Sequence, residues 1–254
     1  MEVLGIDIGS YGIKGCIVDT KQGEIVSEKK STPRLKDSSP HKVLSQLHQI
    51  VSKEFKWKGA VGCAFPAPVI NGVVVSATRI HDSWVDTDAQ HLFSEITENS
   101  VSVLNDSDAS GLAEMKFGAG VNQKGVVILL TVGTGIGSAM FVDGKLLPNS
   151  ELGSIEIRGI SAEKRASNRV RKEEGLPKKR WATRMQFVLE TYQNIFHPDL
   201  FIIGGQMSKK ANKVFPYIKI KTPVKAAVFQ NEASIVGAAM FAADRENNGN
   251  IFYR

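Results

Sequence analysis

One unit of sequence occurs twice in this chain: an apolar strand, a glycine-rich turn and a second strand. The first copy is Glu2-Val3-Leu4-Gly5-Ile6-Asp7-Ile8, a turn at Ser10-Tyr11-Gly12, and a strand from Ile13 to Asp19. The second runs from Gly125 to Thr131, turns through Val132-Gly133-Thr134-Gly135-Ile136-Gly137, and returns over Ser138 to Val142. Apolar, β-branched runs bounded by glycine predict strands, and so short a turn predicts hairpins. A repeated hairpin of this kind predicts two related α/β halves. A chain of 254 residues is long enough to give each half its own core. Two such units facing each other form a cleft, a common place for a ligand.

The remaining patterns fill in both halves. Lys21-Gln22-Gly23-Glu24 reads as a turn into a third strand over 25–29, followed by a loop over 31–40 with two prolines. Val43, Leu44, Leu47, Ile50 and Val51 recur at helical spacing and predict a helix over 42–53. Residues 60–65 and 100–104 read as buried strands. A helix over 108–117 follows, with Ser107 or Asp108 as its N-cap. Residues 181–196 form an amphipathic pattern, 199–205 a short strand and 233–243 an apolar, alanine-rich helix. The polar tail 244–254 is expected to be loose.

Several classes drop out on composition. No apolar run approaches the roughly 20 residues needed to cross a bilayer. The start Met1-Glu2-Val3-Leu4-Gly5-Ile6-Asp7 has no basic segment of a secretory signal. A cytoplasmic protein with no membrane partner is therefore expected. Cys16 and Cys63 have neither pair nor metal-ligand spacing and read as buried free thiols, and the five histidines are scattered. The net charge of +6 suits a polyanionic partner without selecting one. No aromatic-interleaved basic pattern supports specific nucleic-acid binding.

Chemistry concentrates in three places. In the first loop, Asp7, Gly9, Ser10, Gly12 and Lys14 make a candidate phosphate site, because glycines let backbone N–H groups approach an anion. Asp7, at a strand end, is also a candidate for holding Mg²⁺ through water. In the second loop, Thr131, Gly133, Thr134 and Gly135 form a similar cradle. That loop leads into a strand rather than a helix and lacks a GK[ST] ending, so it matches neither the dinucleotide fingerprint nor a Walker loop. Between the loops lies Asn105-Asp106. There an amide could orient a substrate hydroxyl and a carboxylate could take its proton, the general-base role in phosphoryl transfer. The plainer reading of Asp106 is an N-cap.

The order DIGSYGIKG, LNDSDASGLAE, LTVGTGIGSA, ELG and IIGGQMSKK resembles the ROK family of repressors, open reading frames and sugar kinases. The segments FPAPVINGVV, DSWVDTDA, PNSELG, HPDLFIIGG and NEASIVGAAM resemble its polyphosphate glucokinases in particular, and the likeness runs to about Ala243. It implies an α/β, RNase H-like (actin-like ATPase) sugar kinase with a central cleft, its domains at 1–107, completed by a C-terminal helix at about 232–246, and 108–231. It also implies a hexose kinase, foremost a glucokinase, that phosphorylates a 6-hydroxyl from polyphosphate, ATP or both with Mg²⁺, and a homodimer. By the same resemblance Asp106 is the catalytic base. Asn105, Glu151 and Glu163 touch the sugar, and Gly204 and Gly205 lie near the phosphate chain.

Two departures bear on these expectations. The family's zinc cluster, CxCGxxGC, is absent, so no zinc is expected. The histidine of the family's ExGH motif falls at Ser154, which is shorter and carries no positive charge. A kinase for another hexose and a catalytically impaired sugar sensor therefore stand as alternatives. Retained Asp106 argues against the sensor, and no helix-turn-helix precedes the first loop. For the donor, the basic stretch from Lys164 to Arg180, with Lys209, Lys210 and Lys213, is either a track for polyphosphate or a solvated charged face.

Overall fold

The structure is a computed structural model that describes residues 1–9 and 12–248. The chain divides into two compact units. One holds Met1–Ala113 together with the chain from Glu232 onward, and the other holds Glu114–Asn231.

In the first unit, β1 (Glu2–Gly9) and β2 (Gly12–Asp19) form the antiparallel hairpin, with Asp7 opposite Lys14 and Gly9 opposite Gly12. The expected strand over 25–29 is instead two short pairings on β2, namely β3 (Glu24–Ile25) and β4 (Lys30–Ser31). The break falls where the Ser27 hydroxyl accepts the Ile17 N–H in place of a backbone carbonyl. Helix α1 (Pro40–His48) continues as a π-helical turn over Gln49–Glu54. Then come β5 (Val61–Phe65), the small hairpin of β6 (Val69–Ile70) and β7 (Val73–Val74), α2 (Ala89–Thr97) and β8 (Val101–Asn105). The sheet runs β3-β2-β1-β5-β8, with β5 and β8 parallel to β1. Trp84 lies in the core of this unit, edge-on to Phe65 at 5.0 Å and Phe93 at 5.7 Å, with its indole N–H donated to the Ser38 carbonyl. His81 accepts the Ser83 N–H and caps the short turn that carries Trp84.

Helix α3 (Asp106–Phe117) starts two residues earlier than the apolar pattern suggests. Neither Ser107 nor Asp108 is its cap. Asn105 Oδ1 accepts the N–H groups of Ser107 at 2.8 Å and Asp108 at 3.2 Å, so the last strand residue caps the helix.

The second unit repeats the plan. β9 (Val126–Val132) and β10 (Ile136–Val142) pair antiparallel, so the turn is narrowed to 133–135. β11 (Lys145–Leu147) follows on the β10 edge. A short hairpin, β12 (Glu156–Ile157) and β13 (Ile160–Ser161), leads to α4 (Ala162–Ala166) and α5 (Asn168–Glu173). The long α6 (Lys178–Phe196) lies over the sheet, and Trp181, Met185, Val188, Leu189 and Tyr192 on one face are fully buried. β14 (Leu200–Gly204) is parallel to β9. The short α7 (Gly205–Ser208) and α8 (Ala211–Val214) follow, and β15 (Val224–Ala226) completes the order β11-β10-β9-β14-β15.

The chain then returns to the first unit as α9 (Ala233–Asn248). Residues 244–248 of the tail expected to be loose are thus helical, and the rest of that tail lies outside the described residues. Glycines let α9 lie directly on the sheet. A Cβ at Gly5 of β1 would strike the Ile235 carbonyl, one at Gly62 of β5 the Ala238 carbonyl, and one at Gly237 the Ala109 carbonyl of α3. Both cysteines are buried free thiols. Among the described residues no helix is long and apolar enough to cross a membrane.

Candidate active site

In the first unit the candidate residues converge on the C-terminal ends of three parallel strands. Asp7 on β1 is in register with Ala64 on β5, and Leu104 on β8 is in register with the same residue. Asp106 therefore begins α3 two strand spacings, about 10 Å, across the sheet from the β1 end that carries Asp7. The charge of Asp106 acts on Asp7. Burial, then the charge of Asp106, push the Asp7 carboxyl up to about 6, against opposing pulls from Lys14 and from the Ser234 hydroxyl. Burial also raises Asp106 above its ordinary value, opposed by the nearby Arg79 guanidinium and by Ser107. Two carboxylates that share a low-dielectric site have an excess of negative charge that a cation would relieve.

Asn105 is only 4% exposed, and its Oδ1 is committed to the α3 cap. Gly9 and Gly12 are the last pair of the β1–β2 ladder, and Lys14 lies opposite Asp7. Ser10 falls outside the described residues.

In the second unit Thr131, Gly133, Thr134 and Gly135 form the tip of the β9–β10 hairpin, and three neighbours brace it. The Gly133 carbonyl accepts the N–H groups of Asn168 at 2.9 Å and Arg169 at 3.3 Å. Glu163 accepts the Ile136 N–H at 3.4 Å. Gly204 is in register with Thr131, and Gly205 bridges Val132. A Cβ at Gly133 would meet nothing within 4 Å, so the open space over this residue is not a packing requirement of the protein itself.

Glu151 precedes a 3-10 turn, Leu152–Ser154, that is tied down through both backbone groups of Leu152. The Leu152 N–H goes to the Ser138 hydroxyl at 2.9 Å, and the Leu152 carbonyl accepts the Tyr192 hydroxyl at 2.6 Å. Ser154 is exposed, and its N–H returns to the Glu151 carbonyl.

In the basic stretch, Arg165 donates to the Ile157 carbonyl and lies over the Phe187 ring, and Arg171 donates to Asn168 and lies over the Trp181 ring, so both have structural contacts; just beyond the stretch, Arg184 forms a two-pronged pair with Glu174. Partial burial and then the charges of Arg171, Lys178 and Lys172 hold Lys210 below the usual lysine range. Four cations thus gather near the segment that follows Gly204 and Gly205. Clustered like charges cost energy unless an anion joins them.

The sequence reading missed Arg79 and Ser234. Arg79 sits in an irregular loop whose path no periodicity reveals. Ser234 lies at the opposite end of the chain from Asp7.

The sequence model of the ROK family matches residues 3–159. The polyphosphate glucokinase of Mycobacterium tuberculosis (strain CDC 1551 / Oshkosh) is 42% identical over 237 residues, covering 93% of this chain and 89% of that protein. The crystal structure of an inorganic polyphosphate/ATP-glucomannokinase from Arthrobacter sp. strain KM is similar with a TM-score of 0.91 and 41% identity, covering 95% of this chain and 98% of the other. A ROK family glucokinase from Streptomyces griseus shares the fold at a TM-score of 0.79 and 22% identity, covering 96% of this chain and all of that one. The fold is the α/β, RNase H-like one of actin-like ATPases, and the chain belongs to the ROK family.

Proposed function

We propose that this protein is a hexose kinase that transfers a phosphoryl group from polyphosphate, ATP or both to the 6-hydroxyl of glucose or a close relative, with Asp106 as the base. The observation that carries the reading is the placement of two half-buried carboxylates, Asp7 on β1 and Asp106 just after β8, at the same edge of one sheet, with the first glycine hairpin on β1. One carboxylate can take the proton of the attacking hydroxyl while the other faces the phosphoryl donor. The similar mycobacterial protein is named for glucose and polyphosphate, and the similar Arthrobacter protein for polyphosphate, ATP, glucose and mannose, which sets the acceptors and donors proposed here.

Each residue has a defined task in this reading. Asp106 accepts the hydroxyl proton, and the Arg79 guanidinium favours its ionised form against burial. Asn105 addresses the sugar through its Nδ2, since its Oδ1 is used by the cap. Glu151, Ser154 and Glu163 belong to the sugar side. Backbone N–H groups of 133–135 meet phosphate oxygens in the open space above Gly133. Arg171, Lys172, Lys178 and Lys210 take the distal part of a polyphosphate chain, Arg by its planar fork and Lys as point charges. Among the described residues no three His, Cys, Asp or Glu side chains gather into a metal cage. Asp7 with Asp106 nearby fits Mg²⁺, which keeps most of its water and binds through one or two carboxylates plus donor oxygens. When bound, Mg²⁺ supplies charge neutralisation on the transferred group.

The test is formation of hexose 6-phosphate, crossing glucose and mannose with ATP and polyphosphate, with and without Mg²⁺. Product from glucose supports the reading. Folded protein that yields no product from any pair removes it and favours the sugar-binding alternative raised by Ser154.

A further inference from the structure

We infer that Ser138, a buried hydroxyl on β10, is a positioning residue for Glu151 and thereby sets the affinity for the hexose. The inference rests on the reading of Glu151 as a sugar-side residue.

Ser138 is a polar residue in a strand whose Ile136, Ala139, Met140 and Phe141 are buried and apolar, and it is itself only 1% exposed. A hydroxyl in such a place has to be hydrogen-bonded. Its partners lie in the segment that carries Glu151. The Ser138 hydroxyl donates to the Ser150 carbonyl, and its Oγ accepts the Leu152 N–H at 2.9 Å. Those two groups belong to the peptide units on either side of Glu151. One side chain therefore holds both peptide planes about which Glu151 turns. The residue rests at φ −105° and ψ 54°, outside the main helical and extended regions. Fixing both planes fixes the direction in which the Glu151 side chain leaves the backbone.

The strand supplies the rest of the support. Ser138 lies opposite Leu130 in the β9–β10 ladder, so strand pairing rather than the hydroxyl keeps the serine in place. A Cβ on Gly153 would strike the Ile136 carbonyl, so the turn after Glu151 lies directly on the same strand. Glu163 accepts the Ile136 N–H at 3.4 Å. Two residues of the sugar side are thus placed by one short stretch of β10. Tyr192 of α6 provides a contrast. Its hydroxyl donates to the Leu152 carbonyl at 2.6 Å, a group in the next peptide unit that does not flank Glu151. Losing the Tyr192 hydroxyl loosens the turn and leaves both Glu151 peptides held.

The experiment compares wild type with Ser138→Ala, Ser138→Cys, Tyr192→Phe and Glu151→Gln. The readouts are glucose binding by calorimetry without a donor, steady-state kinetics and the urea midpoint. A pair of buried hydrogen bonds that orient a binding group contributes about tenfold to affinity. Ser138→Ala is therefore expected to raise the glucose Kd and KM by about tenfold, with kcat and donor KM within about threefold of wild type. Ser138→Cys fills the space with a thiol that hydrogen-bonds only weakly. It should weaken glucose binding in the same direction, and it keeps the test available if the alanine variant does not fold. Tyr192→Phe should lower the urea midpoint and leave the glucose Kd within about twofold of wild type.

Wild-type glucose binding in folded Ser138→Ala or Ser138→Cys would overturn the inference. So would an equal weakening in Tyr192→Phe, or a loss expressed mainly in kcat or donor KM, because either points to general loosening. Glu151→Gln separates the two levels. If it leaves glucose binding unchanged, the reading of Glu151 fails and the role of Ser138 falls with it. If it weakens binding while both Ser138 variants bind as wild type does, only the role of Ser138 fails.

Discussion

Asp106 is both the first residue of α3 and the proposed base, and the two roles separate cleanly because Asn105 provides the cap. Asp106→Asn should therefore keep the circular-dichroism spectrum and unfolding midpoint near wild type while lowering kcat by roughly 100- to 10,000-fold, the usual contribution of a general base. A base must be ionised, and burial raises this carboxyl above its ordinary value of 3.8. The profile of kcat/KM against pH should accordingly fall on the acid side at a point above the normal carboxylate range. Arg79 lowers the Asp106 pKa. Arg79→Ala should move that acid limb to higher pH, and an unmoved limb would remove Arg79 from the site. Asp7 makes a prediction for stability. Its carboxyl is pushed from 3.8 to about 6 in the folded protein, so between those values the native state holds more protons than the unfolded chain. Stability then falls as pH rises through this window and levels off above it. Thermal unfolding of metal-free protein should show that loss in wild type and not in Asp7→Asn.

At the scale of elements, glycines with opposite roles give a contrast. Gly62→Ala or Gly237→Ala would force a methyl into the backbone of a neighbouring element. Each should destabilise by about 1–3 kcal/mol or more, read as a lower urea midpoint. Gly133→Ala meets open space, so stability should be unchanged while the donor KM rises. Sequence and structure agree where the signal is local. β1, β2, β9 and β10 are legible from apolar runs and glycine turns, and α6 from its buried face of Trp181, Met185, Val188, Leu189 and Tyr192. They part where a distant or side-chain partner decides. The segment 25–29 has the apolar content of a strand, yet Ser27 takes the ladder bond of Ile17 and splits it. The start of α3 follows the Asn105 cap rather than the apolar pattern. The docking of α9 on Gly5 and Gly62 joins the two ends of the chain, which no window along the sequence can register.

For the molecule as a whole, the repeated hairpin is the feature that carries furthest. It predicts two related α/β halves, and in the structure each hairpin begins a sheet that parallel strands extend. Much of the candidate site is legible for the same reason, since Asp7, Asp106 and Thr131 to Gly135 all sit at strand ends or hairpin tips. Arg79 is not, because its place beside Asp106 comes from the path of a loop. Which cations of the basic stretch have structural contacts and which cluster is likewise invisible in composition. Lys210 belongs to the cluster with Arg171, Lys172 and Lys178. Lys210→Glu should raise the KM for long polyphosphate more than that for ATP, and added salt should shrink the wild-type advantage for polyphosphate.

Phosphoryl transfer to a hexose, with Asp106 as base, can be measured directly. Its most direct test is a coupled assay of glucose 6-phosphate formation from polyphosphate and from ATP, run on wild type and Asp106→Asn with Mg²⁺ present. Wild type should form product from at least one donor, and the variant should lose orders of magnitude in rate. Wild-type turnover in Asp106→Asn would contradict the assigned base. Absence of any hexose phosphate from folded wild-type protein would contradict the kinase reading itself.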